Sequence, residues 1–212
     1  MSNGWETRQR RTRSEILAAV GDIIAADGVD GLTMRKLAER ANVAVATLYN
    51  QFADRSGVLV AFVSNGLDEL ELALDEQPAS PPIDGTRVLL RALDDTIGSA
   101  DHVWRPVLAT LGTSPGSQRM GAVGDRIIGS IEVDLAKARA AGMFCVECDT
   151  ARLARHVFVQ WIRGLERWAQ GTIDWTAYQS NAVLGLELTL AAVLVEPHRT
   201  DALRRAGVVL RS

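Results

Sequence analysis

The sequence predicts an all-α protein in two parts: an N-terminal three-helix unit ending in a helix-turn-helix, and a larger helical body. Three observations lead there. Apolar residues recur at helical spacing almost throughout, and no strand-like alternation persists. The stretch Leu32 to Phe52, LTMRKLAERANVAVATLYNQF, reads as two short helices joined by a tight turn. The segment Gln77 to Gly85, QPASPPIDG, rich in Pro and small residues, is the clearest break in the chain.

Taken in order, Thr12 and Glu15 have capping-box spacing and predict the start of the first helix. Ile16, Leu17, Val20, Ile23 and Ile24 give it one apolar stripe, and Gly28 and Gly31 bracket its exit. Thr33 then offers a side-chain oxygen to cap a helix carrying Met34, Leu37, Ala38 and Ala41. Asn42 tolerates the left-handed backbone that reverses the chain, and Leu48 and Phe52 lie one turn apart on the helix that follows. Such a pair buries its apolar faces in the angle between the helices. It presents the start of the second helix outward, a shape that fits a DNA major groove.

A turn over Ala53 to Gly57 leads into a long helix from about Ser56 to Asp75, with Leu59, Phe62, Val63, Leu67, Leu70 and Leu74 inward. Beyond the break, helices are predicted over about 86–99, 102–111 (kinked by Pro106) and 118–140 (ended by Gly142), with a loop at 113–117. The last two long helices span about 150–169 and 175–195. In the first, Leu153, Val157, Phe158, Trp161, Ile162, Leu165 and Trp168 cover more than one face. In the second, Val183, Leu184, Leu186, Leu188, Leu190, Val193 and Leu194 point in every direction. One side can pack on its own domain and the other on a second copy, with Gly185, Ala191 and Ala192 allowing close approach. Glu187 in this apolar helix needs a partner, for which Arg163 or a neighbouring subunit is available.

The chain from about Thr12 to Leu59 resembles the DNA-binding domain of the TetR (tetracycline-repressor-type) regulators. The resemblance rests on the lead-in TRSEILAAVGDIIAADGVDGLTMRKLAERA and on TLYNQF, which fits that family's T-[LIV]-Y-x-x-F signature. Two positions depart from the family pattern. Ala44 stands where a small hydroxyl residue usually opens the recognition helix, which removes a cap and a possible phosphate contact. Arg55 stands where Lys is common and keeps the charge.

The resemblance implies a helix-turn-helix DNA-binding domain over residues 1–55 and a helical effector-binding and dimerisation domain over 56–212. It implies a transcriptional regulator, usually a repressor released from a palindromic operator by a small-molecule effector. It also implies a homodimer through the helices near 150–169 and 175–195, and phosphate contacts by Tyr49 and Thr33, with Gln51 and Arg55 as further candidates. The opening of the recognition helix offers the methyl groups of Val45 and Ala46, which suit the thymine methyl, while Thr47 and Asn50 are its polar readers.

Composition is consistent with this. The 212 residues are 47% hydrophobic and 23% charged, as in an ordinary globular protein. The net charge of -3 does not announce a nucleic-acid binder, but its distribution leans the expected way. Residues 1–55 hold eight Lys/Arg against seven Asp/Glu, and the remainder fifteen against nineteen. Arg8, Arg10, Arg11 and Arg13 face only Glu6, and a basic arm beside a helix-turn-helix commonly tracks phosphate. No secretory signal or membrane-spanning stretch is predicted, and two cysteines do not make a disulfide framework, so a cytoplasmic location is expected.

Trp104, Met120, Phe158 and Trp161 could line an apolar cavity for an apolar effector. Cys145 and Cys148, with Asp149 and His156 near, have the spacing of a thiol pair or metal half-site, and so carry the alternative of a thiol- or metal-responsive regulator. No phosphate-cradling glycine loop, nucleophile elbow or HExxH supports an enzyme, and no cofactor or metal is expected.

Overall fold

The structure, a computed structural model, describes residues 3–113 and 120–210, with side chains over 8–112 and 120–210. Its helices are α1 (Asn3–Asp27), α2 (Met34–Arg40), α3 (Val45–Phe52), α4 (Arg55–Asp75), α5 (Asp84–Ser99), α6 (Asp101–Thr113), α7 (Gly121–Ala140), α8 (Thr150–Ala169), α9 (Trp175–Val193) and α10 (His198–Val209), with a 3-10 turn at Val29–Gly31. Among the described residues there is no sheet; a bridge between Phe144 and Leu194 is the extended pairing present. No described helix is long and apolar enough to cross a membrane. The predicted loop at 113–117 and the start of a helix at Gln118 fall largely outside the described residues; Thr113 ends α6.

The chain packs as two compact units, Met1–Leu72 with Ala100–Gly121, and Ala73–Ser99 with Ala122–Ser212. Most of α4, and all of α6, thus pack with the N-terminal helices, so the first unit extends past residue 55.

In the first unit the predicted stripe of α1, from Ile16 to Ile24, is buried together with Leu37, Leu48, Phe52, Val58 and Leu59. Helix α6 adds Val103, Val107 and Leu111, running on through Pro106. Trp104 stacks on Phe62 with ring centroids 5.2 Å apart. A Cβ at Gly66 would stand 2.9 Å from the Trp104 ring, so the glycine is what admits it. Helix α1 does not begin at Thr12. It runs continuously from Asn3, and Glu15 pairs sideways with Arg11 at 2.9 Å instead of reaching back as a capping-box partner.

The second unit holds its polar groups in paired sets. Asp134 accepts from the backbone N–H and the hydroxyl of Thr86, both at 2.8 Å. Gly85 leaves room for this carboxylate, whose Oδ1 a Cβ would meet at 2.7 Å. Glu187, only 3% exposed, receives a two-pronged grip from Arg87 at 2.8 and 2.7 Å. Arg163 is therefore not its partner; that guanidinium pairs along its own helix with Glu166 at 2.9 Å. Helix α7 ends as predicted on Gly142, whose φ of 71° is left-handed, while the Met143 N–H closes on the Ala138 carbonyl.

Helix α8 is more strictly amphipathic than its composition suggests. Ala154, Val157, Trp161, Leu165 and Trp168 are buried, whereas Arg152, Arg155, His156, Gln160, Arg163 and Arg167 face out. Helix α9 buries Glu187, Leu190 and Ala191 and leaves Val183 (40%) and Leu188 (47%) exposed. Gly185 is used within the chain: the Gln160 amide lies over it, and a Cβ there would meet Gln160 Oε1 at 2.6 Å. Helix α10, absent from the sequence prediction, lies against α9 and buries Ala202 and Ala206.

Asp94 is the buried acid of this unit. Its Oδ1 accepts from Trp161 Nε1 at 3.0 Å and from the Tyr178 hydroxyl at 2.5 Å. Burial pushes the Asp94 carboxyl above the usual carboxylate range against the pull of these two donors, and burial beside Asp94 pushes the Tyr178 phenol up as well. Both shifts mean that the folded state holds protons the unfolded chain releases, so stability declines as pH rises through each group's ordinary range. Tyr178→Phe should cost about 1–2 kcal/mol by removing a buried donor. It should also flatten the alkaline loss of stability, as measured by urea unfolding across pH; an unchanged pH profile would contradict the assignment.

Candidate nucleic-acid interface

The helix-turn-helix is built by local chemistry. Thr33, in extended backbone, caps α2 by accepting from the Lys36 N–H at 3.2 Å. Asn42 has φ 52°, the left-handed reversal expected of it. Ala44 opens α3 with no side-chain cap, as its methyl group requires. Leu48 and Phe52 are buried beneath α3, and the Arg13 guanidinium lies 4.9 Å from the Phe52 ring centre.

This anchoring leaves one face of α3 open. Val45 is 39% and Tyr49 51% exposed, with Ala46 and Asn50 exposed beside them and Thr47 half-buried. Thr33 is exposed at the start of α2. Gln51 is half-buried, and its Oε1 has no hydrogen-bond partner among the described residues. Arg55 is turned inward: Nη2 donates to the Val29 carbonyl and stands 3.7 Å from Asp30. It ties the start of α4 to the 3-10 turn.

Sequence reasoning passed over two supports of this geometry. Ala53 takes φ 66° to end α3, and Asp54 caps α4 by accepting from the Gly57 N–H at 2.7 Å. An Asp just before a helical run was the available signal for the second.

The cations divide into occupied and open ones. Lys36 pairs with Asp27 at 2.7 Å and Arg40 with Asp22 at 3.0 Å, bracing α2 on α1. Arg35 pairs with Glu39 at 3.1 Å. Arg8, Arg10 and Arg13 are exposed on α1 and make no ion pair among the described residues. The basic stretch is thus presented on a helix, not on an extended arm.

A hydroxyl-capped α2, a left-handed Asn and an α3 open at its N-terminal end form a helix-turn-helix, and the same residues match a family profile. The profile described as "Bacterial regulatory proteins, tetR family" covers residues 16–62. Residues 16–62 thus carry a DNA-binding domain of the TetR-family type.

Among relatives, the uncharacterized HTH-type transcriptional regulator YdeS of Bacillus subtilis is 36% identical over 64 residues, 30% of this chain and 32% of that one. The repressor KstR of Mycolicibacterium smegmatis is 36% identical over 67 residues, 32% of this chain and 33% of that one. The matched stretch therefore spans about a third of the length of these relatives. The fold likeness extends further. The Thermus thermophilus TetR-family repressor FadR, solved with lauroyl-CoA, superposes with a TM-score of 0.66 at 19% identity, covering 87% of this chain and 96% of that one.

The remaining predicted residues are dispersed. Met120 packs against the first unit's core and half-buried Trp104 against Phe62, whereas Phe158 and Trp161, 6.1 Å apart by ring centroid, belong to the second unit. Phe158 lies over Gly124, where a Cβ would meet its ring at 3.1 Å. Cys145 is exposed and Cys148 half-buried, both as free thiols. Burial pushes the Cys148 thiol up, against the opposing pull of Arg139. His156 is engaged with Gln160 at 2.6 Å. No group of three or more His, Cys, Asp or Glu among the described residues is placed to hold a metal.

Proposed function

We propose that this protein is a DNA-binding transcriptional regulator, a repressor that leaves a palindromic operator when a small-molecule effector binds its helical body. The carrying observation is the open N-terminal face of α3, held rigid by buried Leu48 and Phe52 within a TetR-family domain. In this reading Val45, Ala46, Thr47 and Asn50 face base edges, and Tyr49 and Thr33 contact phosphate. Gln51 and Arg55 flank the backbone, Arg55 chiefly by fixing α4 to the turn at Val29. Arg8, Arg10 and Arg13 supply charge along α1.

The protein acts in the cytoplasm as a homodimer through α8 and α9, and is not an enzyme. Exposed Leu188 on α9 and Val159 on α8 support that surface. Residues 1–55 serve recognition and 56–212 serve dimerisation and effector binding, with α4 as the mechanical link between the two roles.

An effector can displace DNA only through its differential affinity for the two arrangements, and the coupling is reciprocal. Native mass spectrometry of freshly purified protein should reveal a co-purified small molecule. Titrated back, that molecule should weaken operator binding by the same factor by which operator weakens it. Unequal factors at equilibrium would sink the two-state account.

The thiol alternative rests on two free thiols, Cys145 exposed and Cys148 half-buried. Cys145→Ser combined with Cys148→Ser should leave operator affinity and its release within about twofold, read by fluorescence anisotropy with and without peroxide or zinc. A release that vanished with the two thiols would reinstate the sensor.

A further inference from the structure

A cavity of about 390 Å³ lies between α5, α8, α9 and α10, wholly within the second unit. That volume falls in the range of small-molecule sites. Its walls are apolar: Leu90, Trp161, Ala182, Val183, Leu186 and Val208. Helix α10 closes one side, so a terminal helix that buries little of itself has a use here.

The polar groups are segregated by depth. Glu187 and Arg87 line the floor, but each neutralises the other through the bidentate contact at 2.8 and 2.7 Å. Asp94, 9% exposed, spends Oδ1 on Trp161 and Tyr178, and its Oδ2 has no hydrogen bond among the described residues. That leaves an acceptor oxygen on a residue that lines the cavity. Arg91 and Arg205 stand exposed at the mouth with no ion pair among the described residues, beside Asp95. A cationic ligand reaching Asp94 would pass both guanidiniums and stop next to Arg87. An anion held at the mouth meets two cations against the single exposed carboxylate of Asp95, and burial, which raises the Asp94 carboxyl, weakens the opposing charge beneath it.

We propose that this cavity binds an amphiphilic organic anion, with its apolar body between α5, α9 and α10, a hydrogen-bond donor directed at Asp94 Oδ2, and its acidic head held by Arg91 and Arg205. The assignment deepens the effector reading by naming the ligand class, and rests on it only for the consequence at the operator. It does not compete with the dimer surface. At 3.6 residues per turn, Ala182 and Leu186 lie on a different face of α9 from exposed Leu188 and Ala192.

The test is fluorescence titration of the full chain, without DNA, using two probes of nearly the same shape. One is 1-anilinonaphthalene-8-sulfonate, an apolar anion with an N–H donor, and the other is its neutral analogue N-phenyl-1-naphthylamine. One saturable site per chain is expected for the anion. Arg91→Gln with Arg205→Gln, both exposed and so harmless to the fold, should weaken the sulfonate about tenfold and leave the neutral probe within about twofold. Ala182→Phe should exclude both.

Loss of charge discrimination, or sulfonate affinity within about twofold of the parent in the double variant, would overturn the assignment. The expected pattern in a protein that bound no operator would keep this site and remove the regulator reading instead.

Discussion

Replacing Leu188 and Ala192 together by glutamate is expected to leave folded monomers whose operator affinity falls by roughly 10²–10⁴, because a second half-site is no longer tethered to the first. Leu188 is 47% exposed on the isolated chain and Ala192, one turn on, is exposed beside it. Neither supports the chain's own core, so the substitutions act on the partner surface and not on folding. Four carboxylates brought face to face across a two-fold interface would oppose association strongly. Sedimentation velocity and operator titration on the same sample are the measurement. A variant that stays dimeric, or a monomer that still binds as tightly as the parent, would show that these helices do not form the interface.

Arg87→Met is expected to cost about 3 kcal/mol, since it strands Glu187, 3% exposed, without its counter-charge. For a chain of this size that corresponds to a fall in Tm of roughly 6–12 °C. Arg87→Met combined with Glu187→Met should recover most of the loss, because an ion pair taken out of water gives back in attraction little more than its desolvation costs. A single substitution that left Tm unchanged would mean water reaches this carboxylate. A double variant as unstable as the single one would mean the pair contributes in a way that apolar packing does not replace.

What could be read from the sequence was what depends on near neighbours. The Thr33 cap, the Asn42 reversal, the uncapped Ala44 and the Gly142 terminus each follow from one side chain and the backbone within a few residues, and each is found. The capping box at Thr12 and Glu15 misled because the same spacing also suits a helix interior, where Glu15 pairs with Arg11. Helix α10 escaped notice because it buries two alanines, too small an apolar signal to show a period. Arg87 lies 100 positions from Glu187, and nothing local could have joined them. At the candidate interface the outward residues of α3 were legible from helical spacing alone. The inward turn of Arg55 was not, since it depends on a carbonyl 26 positions earlier.

The central claim is that α3 reads DNA, and selection from random double-stranded DNA tests it most directly, run in parallel on the parent, Tyr49→Phe, Val45→Ser and Ala46→Ser. The parent should enrich a palindrome whose half-sites are about 34–36 Å apart, or a multiple of that. Tyr49→Phe should keep the consensus while weakening all sites about equally, because a phosphate contact fixes register without naming a base. Val45→Ser or Ala46→Ser should change the preferred base where a methyl contact is lost. No enrichment by the parent, or a consensus moved by Tyr49→Phe and untouched by the two serine variants, would contradict the account.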